Sequence, residues 1–297
     1  MASPNDQGAA AQQVVSAVPA AYAAPREVEQ RFEPDAINRT SHFTATILEM
    51  PIRHAEALAR IGPASALNGA GQIFCTQFAA ISNKFPLDTN ATQEASLDEF
   101  VNIFGPGKAL DEFRGRLKSH LIAQGSQYIS PPGGSVHPNP EFIRWINNLI
   151  VFADTAFPGG SAQPHLSFTL TQLPKNRFQD LSISVGPDKL SGAGLSKQFT
   201  WTAAPGAKIT LSERGVSFAE FEGPWAPFRF GSDALWQHTE GLPELQFAVQ
   251  TNGRQQKFED GTPKIAYYEL KMNNSWVLNK ARLASLRNCV RPVALTR

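Results

Sequence analysis

The side chains able to do chemistry in this sequence are sparse and scattered. Its six histidines are His42, His54, His120, His137, His165 and His238, and they form neither H-E-x-x-H nor His-x-His. No zinc site is therefore expected. No G-x-S-x-G nucleophile elbow occurs. "GPGKAL" at Gly105 imitates the tail of a phosphate-binding loop. The first glycine of such a loop would fall on Asn102, and Ala109 stands where Ser or Thr would hold magnesium. The segment reads as a helix-breaking turn. "GAGQIF" at Gly69 lacks a third glycine and follows no predicted strand, so it is no dinucleotide fingerprint. Glu220 and Glu222 lie two apart on a predicted strand and share a face. Paired carboxylates can hydrolyse glycosides, although two solvated charges are the commoner use of such a pair. The sequence carries no expected catalytic residue, cofactor or metal.

Other residue types suggest binding. Trp201, Trp225, Trp236 and Trp276 could stack on sugars, as in a carbohydrate-binding module for peptidoglycan, with at least two of them expected in the core. In "GSDALWQHTEG", Leu235 and Trp236 sit between turn residues, and Asn252-Gly253 marks another loop tip. These four are the candidate partner-binding residues; the plainer reading is a loop tucked onto its own domain. Cys75 and Cys289 are the two cysteines. A bond needs about 4.4–6.8 Å between Cα atoms, which sequence cannot supply. Cysteine packs readily as a small hydrophobe, so two buried thiols are expected.

The elements that must hold these residues come in two blocks. Residues 1–25 are rich in Ala, Gln, Pro and Gly and read as a disordered linker. Residues 26–160 read as a helical subdomain. Within it, "PREVEQRF" starts a helix at Pro25, Pro51 breaks or kinks another, and Gly62-Pro63 ends it. Ile73, Phe74, Phe78 and Ile81 form a stripe. Ser96 with Glu99 is a capping box, and Asn139-Pro140 opens a further helix.

After Gly160 the apolar period changes from helical to alternating. "HLSFTLTQL", "LSISVG", "FTW", "KITLS", "LQFAVQ" and "KIAYYELK" read as strands, with Asn252-Gly253 as a type I′ turn. In "SFAEFEGPWAPFRF", a bulge is expected near Ala219 or Glu220, and Phe228 and Phe230 are expected to resume the strand with Arg229 facing out. Most of these rings should be core. Residues 161–272 then form an antiparallel β-sandwich and residues 273–297 a short C-terminal helix and tail. The fold class is α+β.

The 297 residues carry a formal net charge of +1, with 42% hydrophobic and 18% charged residues. No basic stripe recruits nucleic acid, and no apolar run approaches the roughly 18–20 residues of a membrane span. "MASPNDQGAA" has no cationic or Leu-rich segment and does not read as a secretory leader.

The order of motifs carries a resemblance. "FAAISNKFPLDTNATQEASLDEFVNIFGPGKALDEF", "NNLIVFADTAFPGG", "SFTLTQL", "FTWTAAPGAKITLS" and "GVSFAEFEGPWAPFRF" together resemble the C-terminal part of the IcmF/TssM family of type VI secretion inner-membrane proteins. The likeness is strongest over residues 78–113 and 216–230. Two departures concern the end of the chain. Asn273-Asn274-Ser275-Trp276 stands where many members have Asn-Pro-Phe, and residues 286–292 loosen a Phe-Arg-Cys-Pro-like ending. The family's membrane helices and nucleotide-binding-like domain have no counterpart here, which implies an excised periplasmic piece or a split gene. The resemblance implies a non-enzymatic periplasmic arm, a helical subdomain followed by a β-sandwich. Its implied partners are an outer-membrane lipoprotein and other subunits of the membrane complex.

Overall fold

A computed structural model describes residues 50–125, 127–130, 137–238 and 241–295. The expected linker over 1–25 and the helix starting at Pro25 lie outside these residues. Helix α1 spans Met50–Ser82. Pro51 lies at the edge of the described residues, so the expected break there falls largely outside them. The helix runs through Gly62-Pro63, the expected end, although Pro63 removes one intrahelical bond from the interior.

Contacts divide the chain into two compact units. One comprises the described residues up to Ile73, together with Phe113–Arg144 and Val290 onward. It holds two small ribbons. Strands β1 (Ile122–Gln124) and β2 (Gln127–Ile129) pair Ile122 with Ile129, and β3 (His137–Pro138) pairs with β15 (Ala294–Leu295). Asn68 acts as a side-chain strand partner for Ala294, accepting from its N–H at 2.8 Å and donating to its carbonyl at 3.0 Å. Phe113 meets Phe142 edge-on at 6.0 Å.

The other unit comprises Phe74–Glu112 and Trp145–Cys289. Helix α2 (Leu97–Phe104) begins with the expected capping box: the Ser96 hydroxyl accepts from Glu99 N–H, and the Glu99 carboxylate accepts from Ser96 N–H. Helix α3 spans Ala109–Leu117. Helix α4 spans Pro140–Ala156, with Asn139 Oδ1 accepting from Glu141 N–H. Two antiparallel sheets follow. The five-stranded sheet has the order β10 (Leu235–His238), β11 (Pro243–Ala248), β14 (Ile265–Lys271), β4 (His165–Gln172), β7 (Ser196–Thr202), and the four-stranded sheet the order β6 (Asp188–Ser191), β5 (Leu181–Val185), β8 (Lys208–Glu213), β9 (Val216–Glu222).

In the first sheet, β4 (His165–Gln172), β7 (Ser196–Thr202) and β14 (Ile265–Lys271) bury alternate residues, whereas β11 (Pro243–Ala248) buries four in a row; the inward set includes Phe168, Leu170, Phe199, Trp201, Leu245, Phe247 and Tyr268. In the second, β5 (Leu181–Val185), β6 (Asp188–Ser191), β8 (Lys208–Glu213) and β9 (Val216–Glu222) bury Leu181, Ile183, Leu190, Ile209, Leu211 and Phe221. Phe221 reaches across to Phe247 at 6.3 Å, as facing sheets require. The expected bulge falls on β9 opposite the Leu211–Ser212 step, so that Phe218 is the residue left without a register partner.

Two sequence expectations are corrected here. Residues 226–233 form helix α5 (Ala226–Asp233), with Pro227 in its first turn, and not a resumed strand. Phe228 and Phe230 are both buried because the helix is covered on two sides. Phe228 faces Phe152 of α4 at 6.0 Å, while Phe230 stacks on Phe247 of the sheet at 4.6 Å. Trp225, which caps α5, is fully buried, lies 4.7 Å from Phe100 and donates its indole N–H to the Ala95 carbonyl at 2.8 Å. Arg229 points out, as expected, to pair with Glu94.

The cysteines are the second correction. Cys75 and Cys289 are bonded, with Cα atoms 5.8 Å apart and a sequence separation of 214. The final helix α6 (Lys280–Ala284) is short, and Asn279 caps it by accepting from Ala281 N–H.

Candidate docking surface

Strand β10 (Leu235–His238) is an edge of the five-stranded sheet and pairs with β11. Leu235 and Trp236 therefore belong to a strand and not to the loop expected from their flanking turn residues. Adjacent strand residues face opposite sides, and here the two do different work. Trp236 sits opposite fully buried Leu245 and lies half-buried over the inner face. Its indole N–H donates to the Gly231 carbonyl at 2.6 Å, satisfying a backbone acceptor in the last turn of α5. Leu235 sits opposite Gln246 on the outer face and is 62% exposed.

Asn252 and Gly253 form the expected turn. They connect β12 (Gln250–Thr251) to β13 (Arg254–Gln255), and both have positive φ, 52° and 72°. That is the type I′ geometry for which the Asn-Gly pair is suited. The register fixes their relation to Leu235. Leu235 pairs with Gln246, so it lies at the end of β11 from which the chain enters the Asn252-Gly253 hairpin. Leu235 and the hairpin thus share one end of the sheet.

The outer face beside Leu235 is built by a strap that sequence reading missed. Glu244 and Gln246 point away from the sandwich core, yet both are buried. Lys175 covers them: its ammonium donates to both Glu244 oxygens at 2.7 and 2.6 Å and lies 4.3 Å from the centre of the Tyr267 ring. Asn176 accepts from Tyr267 N–H and donates to Tyr267 O, at 2.8 Å each. Arg177 pairs with Asp260 and lies over Phe258, while Phe178 stacks on Phe218 at 6.1 Å. The only sequence signal was a run of polar residues after Pro174, each of which has a separate anchor in space.

The residues weighed for catalysis do not assemble. Glu220 and Glu222 share a face and both pair with Lys208, at 2.6 and 3.1 Å. The hydrogen bond from Lys208, with a lesser one from Ser217, lowers the Glu220 pKa. A glycosidase acid needs the opposite shift. Trp201 and Trp225 are core residues, and Trp236 and Trp276 are half-buried. Among the described residues, no group of three or more His, Cys, Asp or Glu side chains could hold a metal ion, and no helix is long and apolar enough to cross a membrane.

No protein-family pattern and no curated protein matches the chain. Solved structures do. The TssM C-terminal domain of the type VI secretion system from EAEC superposes with a TM-score of 0.59 at 22% identity, over 78% of this chain and 98% of that one. A chain of a type VI secretion system membrane core complex gives a TM-score of 0.61 at 22% identity, covering 83% of this chain. A chain of a type VI membrane complex gives 0.61 at 20% identity, covering 85%. This chain spans about half the length of those two complex chains, 51% and 50%. Its α+β fold is that of a TssM-like C-terminal region.

Proposed function

We propose that this chain is a non-enzymatic, periplasmic structural element of a type VI secretion membrane complex. Its docking surface for an outer-membrane lipoprotein is the end of the five-stranded sheet that carries Leu235, Trp236 and the Asn252-Gly253 turn. The observation that carries the reading is the fold shared with nearly the whole TssM C-terminal domain. The two larger neighbours belong to membrane complexes, which supports other subunits of such a complex as further partners.

The surface suits protein contact. Leu235 offers apolar area on an edge strand, beside the exposed turn. Apolar anchors ringed by polar groups are the usual centres of such contacts. Lys208, Glu220 and Glu222 are already engaged with one another.

The test immobilises the full chain and passes over it the lipoprotein encoded nearby, without its acyl anchor. Retention at about 10 μM or below supports the reading. No retention at about 50 μM overturns it. A parallel titration with muropeptides, followed by Trp fluorescence, would show instead a saturable shift if the chain were a carbohydrate-binding module.

A further inference from the structure

The Cys75–Cys289 bond joins two places of unequal access. Cys75 lies on α1 between buried Phe74 and Phe78 and is only 7% exposed. Cys289 is half-buried, in the segment that follows α6. That segment has two other anchors: Leu286 accepts a hydrogen bond from the Trp145 indole at 2.9 Å, and Arg287 pairs with Asp88 at 3.1 Å. Neither anchor uses a sulfur atom, so both can bring Cys289 to Cys75 before oxidation. Every strand of the two large sheets lies between the two cysteines in sequence. The bond can therefore close only after the whole sandwich has been synthesised. Between these two cysteines only one intramolecular pairing is possible, and its closure needs a disulfide donor.

We propose that Cys289 is the entry sulfur for a thiol–disulfide oxidoreductase, and that Cys75 is the resolving sulfur that completes the bond as a late step in an oxidising compartment. The Cys289 thiolate attacks one sulfur of the donor's disulfide and expels the other as a thiolate. The Cys75 thiolate then attacks the Cys289 sulfur of the mixed disulfide and expels the donor's remaining thiolate. The chain loses two electrons and two protons, and the donor takes up both as a dithiol. Access decides the order, because a buried thiol meets a bulky disulfide slowly. The inference is independent of the lipoprotein reading, since it concerns how the chain matures and not what it docks.

The test has two arms. The full chain is produced once with an export leader and once without, then alkylated under denaturing conditions and weighed. No free thiol in the exported protein and two in the cytosolic protein is the expected result. Two free thiols after export, or none in the cytosol, would overturn the compartment and donor assignment. In the second arm, Cys75→Ser and Cys289→Ser are treated with oxidised glutathione under native conditions. Cys75→Ser should accumulate a glutathione adduct at least about tenfold faster than Cys289→Ser. Equal rates, or the reverse order, would remove the assignment of the entry sulfur. If either variant fails to fold, the reduced natural chain is sampled during reoxidation and its transient adduct located by peptide mapping. An adduct at Cys289 supports the order, and one at Cys75 contradicts it.

Discussion

At the scale of single residues, two side chains show how environment sets energetics. Tyr268 is fully buried in the sandwich, and its hydroxyl has no hydrogen-bond partner. Its cross-strand neighbour Gln172 likewise has an unpartnered carbonyl oxygen. Burial alone pushes the Tyr268 pKa far above its ordinary value. An orphaned buried hydroxyl costs about 1–3 kcal/mol. Tyr268→Phe should therefore unfold at the same or a higher urea concentration, and a clear loss of stability would show that the hydroxyl has a partner. Asp260 is the opposite case. Its carboxylate accepts from the Thr262 hydroxyl and N–H, with Arg177 alongside, and these hold its pKa at about 2 against an ordinary 3.8. A depressed carboxyl pKa stabilises the fold above the ordinary value, and that contribution is lost as pH falls through about 2. In an NMR titration Asp260 should have its midpoint near 2, and Thr262→Ala should move it toward 3.8. A midpoint already at the ordinary value in the natural chain would contradict the hydrogen-bond geometry.

At the scale of elements, helix α5 is the piece that knits the second unit together. Gly231 lets it approach the 3₁₀ turn Ser275–Leu278: a Cβ at residue 231 would stand 2.3 Å from the Leu278 carbonyl oxygen. Backbone cannot yield as a side-chain tip can, so Gly231→Ala should lower stability by about 1–3 kcal/mol in urea denaturation. An unchanged midpoint would mean that the packing is looser than described. The same helix shows where sequence reading stops. A helix exposed on one face betrays itself by period, but α5 buries Phe228 on one side and Phe230 on the other, and that spacing of two imitates a strand. Strand β10 is only four residues long, too short for its alternation to separate Leu235 from Trp236. Where the signal is local, it was legible: the Ser96–Glu99 capping box, the Asn252-Gly253 turn and the alternation of Leu166, Phe168 and Leu170 all stand as read. At the candidate surface the residues were legible as an apolar pair, but the strap over Glu244 was not, because its anchors on β11 and β14 are distant in sequence.

At the scale of the whole molecule, the Cys75–Cys289 bond illustrates the same limit, since nothing local marks two cysteines 214 residues apart as partners. In the chain-entropy account a crosslink closing so long a loop stabilises by about 2–5 kcal/mol. Reduction should lower the urea midpoint accordingly, and identical curves with and without reductant would show that the bond constrains nothing. The fold places the chain beside the TssM C-terminal domain, and the docking account turns on which surface meets the partner. The most direct measurement is backbone hydrogen–deuterium exchange of the full chain with and without the outer-membrane lipoprotein. Slowed exchange is expected at residues 235–238 and 250–255, with β5 and β8 unchanged. Protection confined to other surfaces, or none despite saturating lipoprotein, would contradict it.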